Sequence, residues 1–537
     1  MAGIVIIYPR EKNPPLEINS FRARMPRYGV LSVASYLKAH GHSVQVFCEL
    51  IGSKVDWEAV RKADYVCFSF LSFCASRAYE MADRVRREYK RTVIMGGDHS
   101  SVMPEDALDH ADYVVRNEGE ETLLALIDVL ESGGDTSSVE GVSYRDKAGK
   151  PVHNKDRPFL EDLSFSLDLD LLPEYRSKGL FRSIADAFAN GAPRVPMPVV
   201  QASRGCPENC RFCVVKYQLG NRHRKRPMDV VLSEIDDYLK RFRGPYLFFV
   251  DNDMSVDSRF SCDLFRTLLQ RHGPHLRPYV FCRIGVNTNH ELLSILEKFD
   301  HTTMGIGFES LRDTALDELG KGHKSGDILK AVENLRRYRI NIHGLFIFGG
   351  ENDAVEDIRR TIEFCLGRGF FNVGLTPLYD FPTRQAVLGQ PQMIPDHLFI
   401  HRDWRFYSGN FAVHFPRLMR PSELQRGILE GYQTFYRHSP NSMVPFMPVR
   451  PTMIRYIDYL REIEVPFYGP DGRRLDKKLE GRTLQDLSPR VPVHVPPWAL
   501  YRETSRFLFQ NIFRGVSWRL LRGVLFPDRK DGINCVF

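Results

Sequence analysis

From Met1 to about Leu130 short apolar runs alternate with stretches of helical period. Gly3 to Tyr8, Ser43 to Cys48, Tyr65 to Phe70, Thr92 to Gly96 and Tyr113 to Arg116 are rich in Val, Ile, Phe and Tyr and read as strands. Between them, Gly29 to His40 repeats apolar residues at Val30, Val33, Ala34 and Leu37, and Ser76 to Lys90 and Glu120 to Glu131 follow the same period. Strands and helices taking turns predict a doubly wound parallel sheet, which binds ligands at the carboxyl ends of its strands. Those ends carry Ser69-Phe70-Leu71-Ser72, Gly96-Gly97-Asp98-His99-Ser100 and Asn117-Glu118-Gly119-Glu120.

Gly133-Gly134-Asp135 closes this unit, and a polar linker over 136–195 follows, with a small hairpin around Val142-Ser143-Tyr144 and the turn Asp146 to Lys150. The alternation resumes over 196–385. Val199 to Gln201, Tyr246 to Val250, Tyr279 to Arg283, Thr303 to Phe308, Gly344 to Phe348 and Asn372 to Thr376 each run into a polar or glycine-rich end, as in a complete or partial β/α barrel. Over 386–537 the pattern becomes aromatic, arginine-rich helices at Pro421 to His438, Met453 to Glu464 and Trp498 to Leu525, which read as a substrate lid behind a proline-rich hinge, Val491 to Pro497.

The 537 residues, 43% hydrophobic and 26% charged, suit a globular chain of two or three domains. No apolar stretch reaches the roughly 18 to 20 residues of a membrane span. The start reads as a strand and not as a secretory leader, so a cytoplasmic protein is expected. A formal charge of +7 names no partner, and no nucleic acid is expected. Over 497–526, Arg502, Arg506, Arg514, Arg519 and Arg522 interleave with Phe507, Ile512, Phe513 and Trp518. This segment reads first as a helix packed on the body and, alternatively, as a peripheral contact with the inner face of a membrane.

Of ten cysteines, three stand together in Ser203-Arg204-Gly205-Cys206-Pro207-Glu208-Asn209-Cys210-Arg211-Phe212-Cys213. Three thiolates can hold a cube of four irons at three corners and leave one iron open. A structural zinc site would want a fourth ligand and a second Cys pair, and the remaining cysteines are scattered, each reading as a small buried hydrophobe.

These residues resemble the radical S-adenosylmethionine enzymes, whose motif Cys206, Cys210 and Cys213 match. The resemblance implies a 4Fe-4S cluster on the three cysteines and S-adenosylmethionine on the open iron, cleaved to a 5′-deoxyadenosyl radical. It further implies contacts to S-adenosylmethionine from Phe212, from Asp251, Asn252 and Asp253 at the second strand end, from Glu309, and from Phe348 and Gly349, with a low-potential flavodoxin or ferredoxin as electron donor. The first 130 residues resemble the cobalamin-binding domain of one branch, which includes hopanoid methylases, the oxidative cyclase of bacteriochlorophyll synthesis and tetraether lipid synthases. By that resemblance Tyr28, Gly29, Ser69, Phe70, Gly96, Gly97, Asp98, Glu118, Gly119 and Glu120 would line a corrin site. The Asp-x-His-x-x-Gly signature that supplies a cobalt ligand elsewhere is absent.

The expected activity is functionalisation of an unactivated carbon in an apolar or lipid-like substrate, first as cobalamin-dependent C-methylation, alternatively as cobalamin-independent coupling, cyclisation or desaturation. From other classes, an electron-transfer protein or a cobalamin sensor stays open. Tyr379, Asp380, His343 and His323 lie where a reacting carbon could be reached, but each reads more simply as scaffold, and no general base is assigned.

Overall fold

The computed structural model describes residues 1–11, 25–173, 198–241, 244–382, 389, 392–439, 450–482 and 491. A first sheet contains β1 (Gly3–Tyr8), β2 (Ser43–Cys48), β3 (Tyr65–Ser69), β4 (Thr92–Gly96), β5 (Tyr113–Val115), β6 (Val142–Arg145) and β7 (Pro151–His153) in the order β2-β1-β3-β4-β5-β6-β7. β1 to β5 pair in parallel and β6 and β7 antiparallel. Ile4 to Tyr8 are all buried, as an uninterrupted apolar strand covered on both faces requires. The hairpin expected within a linker is in fact the edge of this sheet. Arg116, at the end of β5, fastens it by donating to the Val142 carbonyl at 3.1 Å and to Asp156 at 2.7 Å.

The second sheet begins at β8 (Val199–Val200). A small antiparallel pair, β9 (Ser203–Arg204) and β10 (Arg224–Lys225), follows it. Then come β11 (Tyr246–Phe249), β12 (Arg277–Cys282), β13 (Thr302–Glu309), β14 (Ile340–Phe348) and β15 (Asn372–Pro377), all parallel in the order β15-β14-β13-β12-β11-β8. The two ends do not pair, so the barrel is partial. Helices cover its outer face. Ser325–Leu335 buries Ile328, Ala331, Val332 and Leu335, the i, i+3, i+4, i+7 stripe of an amphipathic helix.

The open edge at β15 is covered by the helix Pro421–His438. The Tyr432 hydroxyl accepts from the Leu375 backbone N–H at 2.8 Å and donates to the Leu375 carbonyl at 3.2 Å, taking the groups another strand would have paired. The helix Arg450–Glu464 packs beside it, and Glu464 accepts from the Ser422 N–H and hydroxyl at 3.0 and 2.7 Å. The stretch before Pro421 is irregular and turns back to the first sheet, where the Trp404 indole donates to Asp106 at 2.8 Å. The expected helix Trp498 to Leu525 and the Pro492 to Pro497 part of the hinge lie outside the described residues. Among the described residues no helix is long and apolar enough to cross a membrane.

Replacing Tyr432 by Phe leaves both Leu375 backbone groups without their side-chain partner. Denaturant unfolding should show a loss of about 1–3 kcal/mol, the cost of an unsatisfied buried polar group.

Candidate active site

The three cysteines follow β9 on a loop that only glycine can begin. Gly205 has φ +85°, and a Cβ there would collide with the Arg222 carbonyl and come within 2.9 Å of the Leu219 carbonyl. Cys206 N–H donates to the Gly220 carbonyl, Cys213 N–H to the Cys210 carbonyl, and Arg211 N–H to the Leu319 carbonyl, each between 3.0 and 3.2 Å, so the loop is shaped by its backbone. None of the three is in a disulfide, and all are half-buried. Burial pushes the Cys206 thiol up to about 11, with the charges of Asp253 and Cys213 adding to it and Arg283 and Lys321 opposing. Cys210 is raised first by burial and then by Cys213, Glu309 and Cys206, against Lys321. Cys206 and Cys210, each raised by the charge of neighbouring thiols and facing Lys321, with Arg283 also opposing the charge on Cys206, form with Cys213 a sulfur donor set that an iron–sulfur cluster would fit, since its irons would supply the positive charge that lets the thiols ionise.

Among the strand ends, the Asp251-Asn252-Asp253 run divides its work. Asp251, 1% exposed, accepts from Ala202 N–H at 3.0 Å and the Ser203 hydroxyl at 2.5 Å, and burial raises its carboxyl to about 6. It ties β8 and β9 to β11, a structural task. Asp253 accepts from Ser255 N–H at 2.9 Å and Arg283 N–H at 3.3 Å, and its charge reaches Cys206. The Asn252 Nδ2, buried and without a partner among the described residues, is the unspent donor of the three.

Glu309 ends β13 at φ +64°, a conformation costing a non-glycine residue about 1–3 kcal/mol that marks this strand end as constrained. It accepts from Lys321 Nζ at 3.1 Å, and that ammonium also lies 5.9 Å from the Phe212 ring. Phe348 faces the core. Gly349 is engaged on both sides, its N–H donating to Asp353 at 3.0 Å and its carbonyl accepting from His414 Nε2 at 2.8 Å. Asp380 accepts from the Phe381 and Met393 N–H groups at 2.9 and 2.8 Å and is scaffold, as expected; Tyr379 packs against Phe381. His323 is buried near Lys321, and burial lowers its pKa, with Lys321 contributing.

At the first sheet's carboxyl edge, Gly97 has φ +90°, and a Cβ would lie 2.9 Å from Ser69 Oγ and 3.0 Å from Phe70 N. Gly29 is exposed, with nothing within 4 Å of where its Cβ would be. Asp98 is exposed at this edge, and desolvation raises its carboxyl against the lowering charge of Arg27. Gln218, on the short helix after the third cysteine, donates to the Asp98 carbonyl at 3.2 Å, so this edge adjoins the cysteine loop. A glycine turn, and a helix start with open space at Gly29, fit a corrin lying along the edge. Tyr28 is buried, with a hydroxyl lacking a partner among the described residues. Phe70 is core, edge-on to Tyr79, and His99 is fully buried with its ring nitrogens engaged by Ser72 and Tyr79.

Glu118 and Glu120 spend their carboxylates on the protein itself. Both are buried in ion pairs with the second sheet: Arg204, two residues before Cys206, donates to Glu118 at 3.1 Å and Glu120 at 2.8 Å, and Arg224 donates to both oxygens of Glu118 at 2.9 Å. Burial alone would raise Glu120, but Arg204 and Ser32 outweigh it and hold the carboxyl below its usual value. Gly119 between them is fixed by packing, since a Cβ would lie 3.2 Å from Val33. Sequence reasoning missed Arg204, Arg224, Arg283 and Lys321. Arg204 was signalled by a charge shortly after the apolar run Val199-Val200, and Lys321 by its setting in Gly320-Lys321-Gly322, whereas nothing in the basic run Arg222-His223-Arg224-Lys225-Arg226 singled out Arg224.

A loop of three clustered thiols at the head of a partial β/α barrel, set against a doubly wound sheet, defines an iron–sulfur enzyme of the two-sheet kind. Family models agree: the Radical SAM superfamily matches residues 200–365 and the B12 binding domain residues 17–127. The chain is 25% identical to an uncharacterized methyltransferase of Pyrococcus horikoshii, covering 64% of this chain and 72% of that one. It is 24% identical to the bacteriochlorophyllide d C-8(2)-methyltransferase of Chlorobaculum tepidum, over 76% and 84%, and 25% identical to the hopanoid C-3 methylase of Methylococcus capsulatus, over 61% and 62%. Its fold is similar to that of the cobalamin-dependent S-adenosylmethionine radical enzyme OxsB (TM-score 0.61, 16% identity, 99% and 82% covered). Residues 200–365 are thus a radical SAM domain and residues 17–127, ahead of the barrel, a B12-binding domain, the arrangement of one branch of the radical S-adenosylmethionine enzymes. The chain's cofactors are accordingly a 4Fe-4S cluster, S-adenosylmethionine and cobalamin.

Replacing Arg204 by Met strands the buried Glu120, while Arg224 still holds Glu118, and should cost about 3–5 kcal/mol at neutral pH. In the wild type, Glu120 with its depressed pKa contributes stability in full above the unfolded glutamate value near 4.3, losing it as pH falls through the folded value. Denaturant titrations at pH 7 and pH 4 should therefore show the gap between wild type and Arg204→Met narrowing at the lower pH.

Proposed function

We propose that this enzyme transfers a methyl group to an unactivated carbon of an apolar, ring-containing substrate. What carries the reading is the junction of the two ligand edges, where Gln218 from the cysteine loop holds the Asp98 carbonyl at the glycine turn. Relatives over most of the chain that are named as methylases of a bacteriochlorophyllide and a hopanoid support the same reaction.

When bound, the cluster with S-adenosylmethionine supplies a carbon radical generator, and the corrin supplies the methyl group. The chain's own residues position and shield. Cys206, Cys210 and Cys213 hold the cluster, Lys321 and Arg283 compensate its negative charge, and Asn252 and Asp253 offer a donor and an acceptor to the amino acid end of S-adenosylmethionine. Gly29, Ser69, Gly96, Gly97 and Asp98 form the corrin wall, while Glu118 and Glu120 set its distance from the cluster loop. The aromatic extension around Tyr379, Phe381 and Tyr407 keeps water away from the substrate. A low-potential electron donor of flavodoxin or ferredoxin type completes the system.

A second reading, ring closure without methyl transfer, is favoured by the resemblance to the anaerobic magnesium-protoporphyrin IX monomethyl ester cyclase of Rubrivivax gelatinosus (23% identical, 82% of this chain). Anaerobic reconstitution with iron, sulfide and cobalamin, followed by dithionite and methyl-labelled S-adenosylmethionine, decides between them. Methylation requires 5′-deoxyadenosine and label moving to product; cyclisation gives 5′-deoxyadenosine with no label transferred. Cys210→Ala should lose 5′-deoxyadenosine formation by more than a hundredfold and bind less iron, while a corrin spectrum retained through gel filtration should persist. Equal turnover in wild type and variant would refute the catalytic reading.

A further inference from the structure

The two ligand edges meet a second time, through the extension. The cysteine-loop junction lies at the β8 end of the second sheet and reaches the ends of β4 and β5 in the first. At the opposite end of the second sheet, beyond β15, residues 399–415 double back on themselves. Phe399 and His414 pair antiparallel, Ile400 N–H donates to the Val413 carbonyl and Phe415 N–H to the Leu398 carbonyl, both at 2.9 Å. The base of this strap rests on the barrel. His414 Nε2 donates to the Gly349 carbonyl just past β14, and Tyr407 stacks on Phe381 just past β15.

The tip of the strap lies on the first sheet, where the turn Trp404–Phe406 packs on the turn Ser72–Cys74 just past β3. Trp404, 5% exposed, donates its indole N–H to Asp106 at 2.8 Å, and Arg402 reaches the other carboxylate oxygen at 3.4 Å. Asp106 also accepts from the Tyr79 hydroxyl at 3.0 Å. A carboxylate only accepts, so the tyrosine gives it its one proton, takes a hydrogen bond from His99 Nε2 at 3.0 Å, and leaves His99 Nδ1 to accept from the Ser72 hydroxyl at 3.0 Å. His99 follows Asp98 on the helix Asp98–Val102 that the glycine turn begins, and the indole stands edge-on to its ring at 4.8 Å. One relay thus joins the strap to the strand ends of both β3 and β4.

We propose that residues 399–415 are a strap that closes the corrin edge at β3 and retains cobalamin there, with Asp106 as its latch. The proposal rests on the corrin site at Gly97 and Asp98, and not on the reaction carried out beside it. Asp106, Trp404 and Tyr79 are positioning residues: they fix His99, and through it the helix start that forms the corrin wall. The ends of β5, β4 and β3 are held to the rest of the chain by Arg204, Gln218 and Trp404 in turn. Escape of a macrocycle lying along that edge goes through the weakest of these contacts. Arg204 is locked into buried carboxylates, whereas the latch is one indole bond beside an arginine whose side chain is 31% exposed, so the strap opens before the joint.

Corrin release from the full-length, cluster-reconstituted protein tests this without turnover. The protein is loaded with hydroxocobalamin, freed of excess by gel filtration, and the decay of its corrin spectrum is followed during continuous dialysis. Trp404→Phe keeps a ring and removes the N–H, and should speed release roughly tenfold, the worth of one hydrogen bond to a charged group. Arg402→Gln leaves the packing of the strap untouched and should speed it about two- to fivefold. Bound iron should stay at the wild-type level in both variants, reporting an intact barrel. Coupling is reciprocal, so hydroxocobalamin should slow amide hydrogen exchange in peptides spanning 399–415 of the wild type, and less so in Trp404→Phe, which a merely structural strap would not show. Wild-type release rates in both variants, or exchange in the strap that ignores the corrin, overturns the latch. A wild type that retains no corrin overturns the site at Gly97 and the strap with it. Neither S-adenosylmethionine nor substrate is present, so the labelled-methyl experiment can fail while this one succeeds, and the reverse.

Discussion

The active site depends on one buried guanidinium. Arg204, 4% exposed, is the last residue of β9, and two residues later the first cysteine leaves the strand. Its fork reaches Glu118 and Glu120, on either side of the helix start that ends the first sheet's ligand edge, while its Nε donates to Gln201 at 2.8 Å. With Arg224 the group is neutral, two guanidinium ions against two carboxylates. The favourable placement of Glu120 in the first turn of its helix adds to its stability. A planar fork with fixed donors tolerates little displacement of its partners. An apolar contact of the same area would bind the two sheets as well but would let them slide. The ionic joint therefore sets the register of the corrin wall against the cysteine loop.

A parallel joint stands beside it. Arg226 donates to Glu234 at 2.7 and 2.5 Å and to the Gln201 and Phe165 carbonyls, so the chain leaving β10 is pinned to the helix Met228–Arg241 and to the segment arriving from the first sheet. Asp251 ties the same strands from the barrel side. The cysteine loop is thus held at its root by three charged groups while its tip, with Cys210 and Cys213, is shaped by backbone hydrogen bonds. Rigid root and half-buried tip together suit a cluster that must keep one iron open at a fixed distance from a second cofactor.

The strands and the cysteine loop were legible because each rests on a local signal: short apolar runs, glycine-rich strand ends, and three thiols within eight positions. The second-strand run Asp251-Asn252-Asp253 was found for the same reason, yet its division of labour was not, since only the structure shows that Ser203 and Ala202 consume Asp251. The ion pairs of Glu118 and Glu120 were not legible, because a carboxylate at a strand end looks alike whether it meets a ligand or an arginine 86 positions away. The hairpin Val142 to His153 was seen, but its pairing with β5 across the helix Glu120–Glu131 is non-local and left no mark on composition.

The partial closure of the barrel explains the rest of the design. A six-stranded open sheet exposes β15, and the extension answers with tyrosines: Tyr432 satisfies the Leu375 backbone, and Tyr436, stacked 6.0 Å away at 4°, reaches Asn372 and the Val373 carbonyl. The hydroxyls satisfy the edge while the rings keep it dry, which aliphatic residues could not do without leaving backbone groups unpaired. The same helix must also sit close, and Gly427 and Gly431 allow it, a Cβ at either falling within 2.9 Å of Ile358 or Leu375. Glycines on the helix bring it close to the sheet, and Gly305 on β13 and Gly374 on β15 leave room for the side chains of Phe281 and Leu345 across the neighbouring strands.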